Sequence, residues 1–249
     1  MENISKTINY IWINFKNELD TNPIIPKKYL DNIENTKKLH PNYQIKIWNG
    51  YECDQLIRKY FPNKVQFYWD LPYPIQRCDY IRIIILYIYG GIYSDMDRIS
   101  LKSYDIILEQ YSNYDIIFPK DKLNLLNNDI IFARKQSDFL LYCINNFKQV
   151  NTKIYFFDIV FSCGPWILQY YIWKYKGPNK IICLKDIFIP CGSCNCDKNA
   201  MDKVISLTTS DCSWLSTSIT SKVLSFIICN IQNIIIIILV IYLLYQKYQ

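Results

Sequence analysis

Two aspartates one residue apart, Asp95 and Asp97, follow the short strand-forming run Ile92-Tyr93-Ser94, and their types and spacing suit a hard divalent cation. Mg²⁺ and Mn²⁺ prefer oxygen ligands and are commonly held by one or two carboxylates, with the other positions left to phosphates and water. Such a pair gives one carboxylate to the metal and the other to a ribose, a sugar or a metal-bound water. The chemistry on offer is neutralisation of a departing diphosphate. Gly90-Gly91 lets the backbone turn sharply just before the pair, and Tyr93 shares a face with Asp95 because strand side chains two apart point the same way. Two Asp around any residue are common on protein surfaces, so this spacing alone is a weak signal.

The preceding segment strengthens it. Residues 75–89 are long enough for about four helical turns, and Gly90 stands where a helix C-cap belongs. β-Branching argues for a strand, but a strand of that length with charges three apart would be unusual, so the run reads as a helix. Asp79 and Arg82 then lie on one helical face inside an otherwise apolar segment, where unpaired charge is costly. They must pair or face a polar site. The bland alternative is a buried Asp79–Arg82 bridge, with Arg77 solvating the start of the helix.

The elements that must position these groups read as an α/β sheet. Residues 7–13 form a first strand, residues 28–39 a helix that stops at His40-Pro41, residues 43–48 a second strand, and residues 52–60 a second helix ended by Pro62. Strand, helix, strand, helix is the opening of a parallel sheet. Residues 106–108, 114–118, 128–132 and 139–147 continue the alternation, and Gly164-Pro165 opens a helix through Tyr171.

A chain of 249 residues makes one sizeable domain, and with 51% hydrophobic residues, 22 Tyr and 12 Phe most of it should fold. The net charge of +6 comes from scattered Lys and Arg with no long basic run, which argues against a nucleic-acid partner. The first residues lack the pattern of a cleaved signal peptide. Most cysteines, among them Cys78, Cys143 and Cys163, sit among apolar residues, as small hydrophobes in a reducing compartment do. Cys191, Cys194, Cys196 and Cys212 offer four thiolates, although their spacing matches a zinc site poorly. The expected layout is a catalytic domain over residues 1–222, cytosolic, followed by a hydrophobic tail over residues 223–249. That tail reads as a single membrane anchor, or as an interfacial or buried helix, because its uninterrupted apolar core at 234–244 is short for a bilayer.

The run Arg77-x-Asp79-x-x-Arg82-x-x-x-Leu86-Tyr87-x-x-Gly90-Gly91-Ile92-Tyr93-x-Asp95-x-Asp97 resembles the sugar-binding region of the DXD-motif glycosyltransferases, the family of fungal α-mannosyltransferases and inositolphosphoceramide mannosyltransferases, distantly related to clostridial glucosylating toxins. Weaker echoes at Ile11-Trp12-Ile13, residues 43–48, residues 128–140, Gly164-Pro165 and Ser213-Trp214 extend the likeness over about residues 7–215. The resemblance implies a GT-A-type fold with a mixed, mainly parallel sheet. It also implies a nucleotide-sugar donor (UDP- or GDP-hexose), Mn²⁺ or Mg²⁺, retention of anomeric configuration, and a glycan or glycolipid acceptor.

Carried over by position, Asp97 ligates the metal, Asp95 contacts the ribose and metal shell, and Asp79 and Arg82 hold the donor sugar. Tyr93 lines the diphosphate and Trp12 stacks on the base, the bland alternative for Trp12 being a core aromatic. This chain departs from the family pattern in lacking the late His before Ser-Trp, its only His being His40. Asp211 or Ser213 are the candidate replacement oxygen ligands. The rival reading is a catalytically degenerate, membrane-tethered protein that binds sugar or nucleotide without turnover.

Overall fold

The computed structural model describes residues 3–121, 124–185, 187–188 and 203–208. The chain begins with β1 (Thr7–Ile11), crosses through α1 (Lys27–Leu39) and returns as β2 (Gln44–Trp48). The two strands pair in parallel from Thr7 opposite Gln44 to Ile11 opposite Trp48. Next comes α2 (Gly50–Tyr60), started by a reciprocal cap: the Asn49 side chain accepts from the Glu52 amide at 2.8 Å, and the Glu52 carboxylate accepts from the Asn49 amide at 3.0 Å. A short α3 (Val65–Asp70) leads into α4 (Pro74–Tyr89), the element that organises the molecule.

α4 has Pro at its first position, where a missing amide costs nothing, and ends at Gly90 with φ 66°. Every residue from Gln76 to Leu86 is buried. A helix apolar all round belongs in the core rather than on a surface. Ile81, Ile83, Ile84 and Ile85 are fully inaccessible, each contributing roughly 1.5–3 kcal/mol by leaving water. Gly91 follows with φ 92°, and a Cβ there would stand 2.5 Å from the Thr7 carbonyl. The chain therefore turns straight from α4 into β3 (Gly91–Ser94), which pairs in parallel with β1.

Beyond β3 come β4 (Arg98–Ser100), α5 (Asp105–Gln110), β5 (Ile116–Lys120), β6 (Ile130–Ala133), α6 (Asp138–Asn146), α7 (Tyr155–Ser162), α8 (Pro165–Lys174), β7 (Ile181–Lys185) and β8 (Ser206–Thr208). The main sheet has the order β2-β1-β3-β6-β5-β7, and β6 alone runs against the other five strands. β4 and β8 form a separate antiparallel pair. Strand residues alternate between two cores: Tyr93 and Ile131 pack with α4 and α6 on one face, while Ile92 and Phe132 pack with α1 and α5 on the other.

The architecture is the mixed, largely parallel α/β sheet read from the sequence, with differences of detail. β1 ends at Ile11, not at residue 13. α3, α7, β7, β4 and β8 were not anticipated. Arg77 does not solvate the helix start; it is buried and ion-paired with Glu18 at 2.5 Å. Cys78, Cys143 and Cys163 are buried free thiols, as their apolar neighbours in sequence suggested, while Cys183 is only half-buried and Cys53 is buried despite charged neighbours. The thiol cluster Cys191, Cys194, Cys196 and Cys212, the residues Asp211, Ser213 and Trp214, and the tail at 223–249 lie outside the described residues. Among the described residues no helix is long and apolar enough to cross a membrane.

Candidate active site

Asp95 follows the last residue of β3, and Trp12 follows the last residue of the neighbouring parallel strand β1, so both stand at the carboxyl end of the sheet. In open α/β sheets that edge is where ligands bind. The chain leaves β3 in a tight turn, with the Arg98 amide donating to the Asp95 carbonyl at 3.2 Å, and the Asp95 amide is held by the Asp129 carbonyl at 2.7 Å. Antiparallel β6 supplies that second bond, since Ser94 sits opposite Ile130. One polypeptide crossing thus places Asn128 and Asp129 beside the aspartate pair.

Arg82 is the hub of the buried side. It pairs with Asp79 at 3.0 Å and with Asp95 at 3.4 Å, donates to the Asn128 carbonyl at 2.6 Å and the Cys78 carbonyl at 3.3 Å, and lies 4.4 Å from the centre of the Tyr93 ring. The Asn128 amide donates to Asp79 at 2.8 Å, and the Tyr93 hydroxyl donates to Asp95. The sequence's bland alternative, a buried Asp79–Arg82 bridge, is therefore present. It is also joined directly to Asp95, which a purely structural bridge would not need. Asp79 and Arg82 keep only 4% and 3% exposure, whereas the Asp95 side chain keeps 32%, so the helix pair forms the floor and the aspartate loop the open rim.

Charge in this corner is not balanced by the protein. Burial pushes the Asp79 carboxyl up to about 6, against the pull of Arg82 and Asn128. Burial likewise raises Asp95 to about 7; Arg82 opposes that rise, while Asp129 and Asp97 add to it. Asp97 is half-buried and accepts a long hydrogen bond from Thr208 at 3.5 Å. One oxygen of Asp129 is buried with no hydrogen-bond partner among the described residues. Crowded carboxylates short of positive charge, with hard oxygen donors and an open rim, fit a divalent cation held by Asp95 and Asp97 and completed by phosphate and water. No group of three or more His, Cys, Asp or Glu among the described residues is gathered as a full protein cage.

The structure brings Asp79, Arg82, Tyr93, Asp95 and Asp97 together; spacing alone put Asp79 beside Arg82 and Tyr93 beside Asp95, and the joining of the two pairs was implied by the resemblance. Trp12 is half-buried, its ring 5.2 Å from Tyr29 and its indole N–H donating to the Ile24 carbonyl at 3.0 Å. That bond fixes the ring plane at the sheet edge, a posture open to either reading of this residue. Asp211 is outside the described residues. Sequence reasoning missed Asn128, Asp129 and Arg98. Arg98 is fully buried, paired with Asp129, and donates to the Phe188 carbonyl at 2.7 Å and to Ser206. The run Asn127-Asn128-Asp129 before an apolar strand was the available signal, but its nearness to Asp95 comes from strand order, which spacing does not reveal. His40 is far from any ligand role: Nδ1 donates to the Thr36 carbonyl at 2.7 Å and Nε2 accepts from the Tyr104 amide at 2.9 Å, inside the core.

A carboxylate pair at the carboxyl end of a mixed sheet, floored by an arginine-centred network, defines an α/β protein with a candidate anion- and cation-binding corner. Residues 26–114 match the model of the glycosyltransferase sugar-binding region containing a DXD motif. Inositol phosphoceramide mannosyltransferase 1 of Schizosaccharomyces pombe is 27% identical over 180 residues, 70% of this chain and 53% of that protein. The Saccharomyces cerevisiae mannosyl phosphorylinositol ceramide synthase CSH1 is 28% identical over 152 residues, 60% of this chain and 39% of that protein. The Candida albicans initiation-specific alpha-1,6-mannosyltransferase is 31% identical over 113 residues, 44% and 28% of the two chains. Among solved structures, PaToxG glycosyltransferase shares the fold with a TM-score of 0.50 at 19% identity over 70% of each chain. The chain spans about half or less of the length of these curated relatives. Residues 26–114 are thus similar to the sugar-binding region of the DXD-motif glycosyltransferases, and the relatives named are mannosyltransferases or a mannosyl phosphorylinositol ceramide synthase.

Proposed function

We propose that this chain is a metal-dependent, retaining hexosyltransferase of GT-A type, which moves a sugar, mannose by likeness to its named relatives, from a UDP- or GDP-sugar to a glycolipid or glycan. The observation that carries this reading is the linkage of the Asp95–Asp97 rim to the buried Asp79–Arg82 floor through one guanidinium. Mn²⁺ or Mg²⁺ bound by Asp95 and Asp97 supplies positive charge to the diphosphate as it leaves. The bond that breaks joins the anomeric carbon to the diphosphate oxygen, and the bond that forms joins the same carbon to an acceptor hydroxyl oxygen. The hydroxyl proton passes to the departing phosphate side.

In this scheme Asp79 accepts hydrogen bonds from donor-sugar hydroxyls, and Arg82 keeps Asp79 and Asp95 in fixed register so that little reorganisation accompanies the reaction. Tyr93 orients the Asp95 carboxylate through its hydroxyl. Trp12 gives the nucleobase an aromatic face. Asp211 is the proposed late oxygen ligand, three positions beyond Thr208, whose hydroxyl already reaches Asp97. The hydrophobic tail at 223–249 is proposed as the membrane anchor of a cytosol-facing catalytic domain.

The test is the melting temperature of the full chain with Mn²⁺ and a panel of UDP- and GDP-sugars, followed by release of free nucleotide with a glycolipid acceptor. A rise needing both metal and one nucleotide class, with nucleotide released, is expected. A rise without release at any acceptor would support the binding-only reading, and no rise with any pair would sink the proposed donor site.

A further inference from the structure

α7 and α8 carry a face that the site does not use. Trp166, Tyr170 and Trp173 recur at four- and three-residue steps and so line one stripe of α8, and Phe161 of α7 joins this stripe with its ring 5.3 Å from Trp166. These rings are not core. Trp173 is 70% exposed, Tyr170 46% and Phe161 39%, and Ile154 at the start of α7 is 52% exposed. Large aromatics left to water in such a row call for an occupant.

The charge around them is one-sided. Residues 148–180 contain Lys148, Lys153, Lys174, Lys176 and Lys180, all exposed, against a single acid, Asp158. Asp158 is buried, its carboxylate accepting from the Thr152 amide and hydroxyl at 2.5 and 2.8 Å, so no carboxylate from this segment offsets the lysines at the surface. Lys174 arches back over the rings of Trp173 and Tyr170 at 5.6 and 5.8 Å, with its stem along the apolar stripe and its ammonium at the edge. Exposed Trp and Tyr with Lys174 over their rings, in a segment carrying four further exposed lysines, match the headgroup layer of a bilayer, where amphipathic rings settle and anionic lipids attract bases.

We propose that the α7–α8 face docks on an anionic lipid bilayer, with Trp173, Tyr170 and Phe161 at headgroup depth and the lysines against lipid phosphates. The face is rigidly tied to the site-bearing helix: the Gln76 amide of α4 donates to the Asp158 carbonyl at 2.8 Å, and Tyr73 before α4 packs edge-on against Tyr155 at 4.6 Å. Docking here sets the start of α4, and with it the cleft holding Asp79, at a fixed height above the lipid surface. The inference is independent of the donor chemistry proposed above.

Photo-crosslinking locates the contact even if another segment also binds lipid. Purified full-length chain carrying benzoylphenylalanine in place of Trp173, of Phe161, or of Ile106 on α5 across the sheet, is irradiated with vesicles of phosphatidylcholine, with and without phosphatidylserine. Lipid adducts at positions 173 and 161 should exceed those at 106 by about tenfold in anionic vesicles, and should fall about tenfold in the Lys174→Glu/Lys176→Glu background, whose melting curve confirms folding. Equal adducts at 173 and 106, adducts indifferent to anionic lipid and to the lysines, or adducts joining position 173 to a protein chain would each overturn the proposal.

Discussion

Asp95 is flanked by two buried arginine networks that are built differently. Arg82 serves two carboxylates, Asp79 and Asp95, and lies over a tyrosine ring, with Asp97 one short turn away. Arg98 serves one carboxylate, Asp129, and turns its remaining donors on the Phe188 carbonyl and Ser206. The first network leaves negative charge in excess at an open rim, and the second nearly balances it in a closed interior. The contrast separates an open corner with unbalanced carboxylates from a clamp that holds the loop bearing it.

Four experiments bear on that contrast, from the largest expected effect downward. Arg98→Met should lower stability by about 3–5 kcal/mol, because it strands the Asp129 carboxylate in the interior; Arg98→Met/Asp129→Leu should recover much of the loss in a thermal melt. Stability near wild type in the single variant would mean the clamp is not structural. Asp97→Ala should reverse the pattern, leaving the melting temperature unchanged within a few degrees while sugar transfer falls by at least about a hundredfold. Undiminished turnover would remove the metal assignment.

Gly91→Ala places a Cβ against the Thr7 carbonyl at a backbone angle that only glycine adopts freely. It should cost about 1–3 kcal/mol by denaturant titration, and Gly91→Asn should be no milder, because its Cβ meets the same carbonyl. The smallest effect concerns His40. Burial lowers its pKa below the ordinary value, against the Thr36 carbonyl and Asp105, so the unfolded chain takes up a proton that the folded chain refuses. Stability should be full above about pH 6.5 and decline as pH falls below it toward the depressed folded value. His40→Gln should flatten that slope in melts between about pH 7 and 5; an unchanged slope would point to other groups.

The contrast was half legible in the sequence. α4 and its glycines could be read because a long apolar run with charges three apart and a glycine pair at its end leaves few alternatives, and Tyr93, Asp79, Arg82 and Asp95 share that one continuous segment. The Arg98 clamp could not be read, because Asp129 reaches it through the antiparallel insertion of β6 and Ser206 through a three-residue strand too short to carry a pattern. α7 was passed over because its aromatic run fits a strand as well as a helix. The unbalanced exposure of its rings appears only once α8 is packed beside it.

The pairing of β4 with β8 has a consequence for biosynthesis. Arg98 meets Ser206 across 108 positions of chain, and β1 waits for β3 across more than eighty. Contacts that distant form late and slowly. A ribosome that has released the Asp-Met-Asp segment has therefore not yet released the strand that closes over Arg98. Until that strand arrives, the nascent chain carries its Asp95–Asp97 loop attached but unclamped, so misfolding and chaperone capture should concentrate in the interval between the emergence of the two strands.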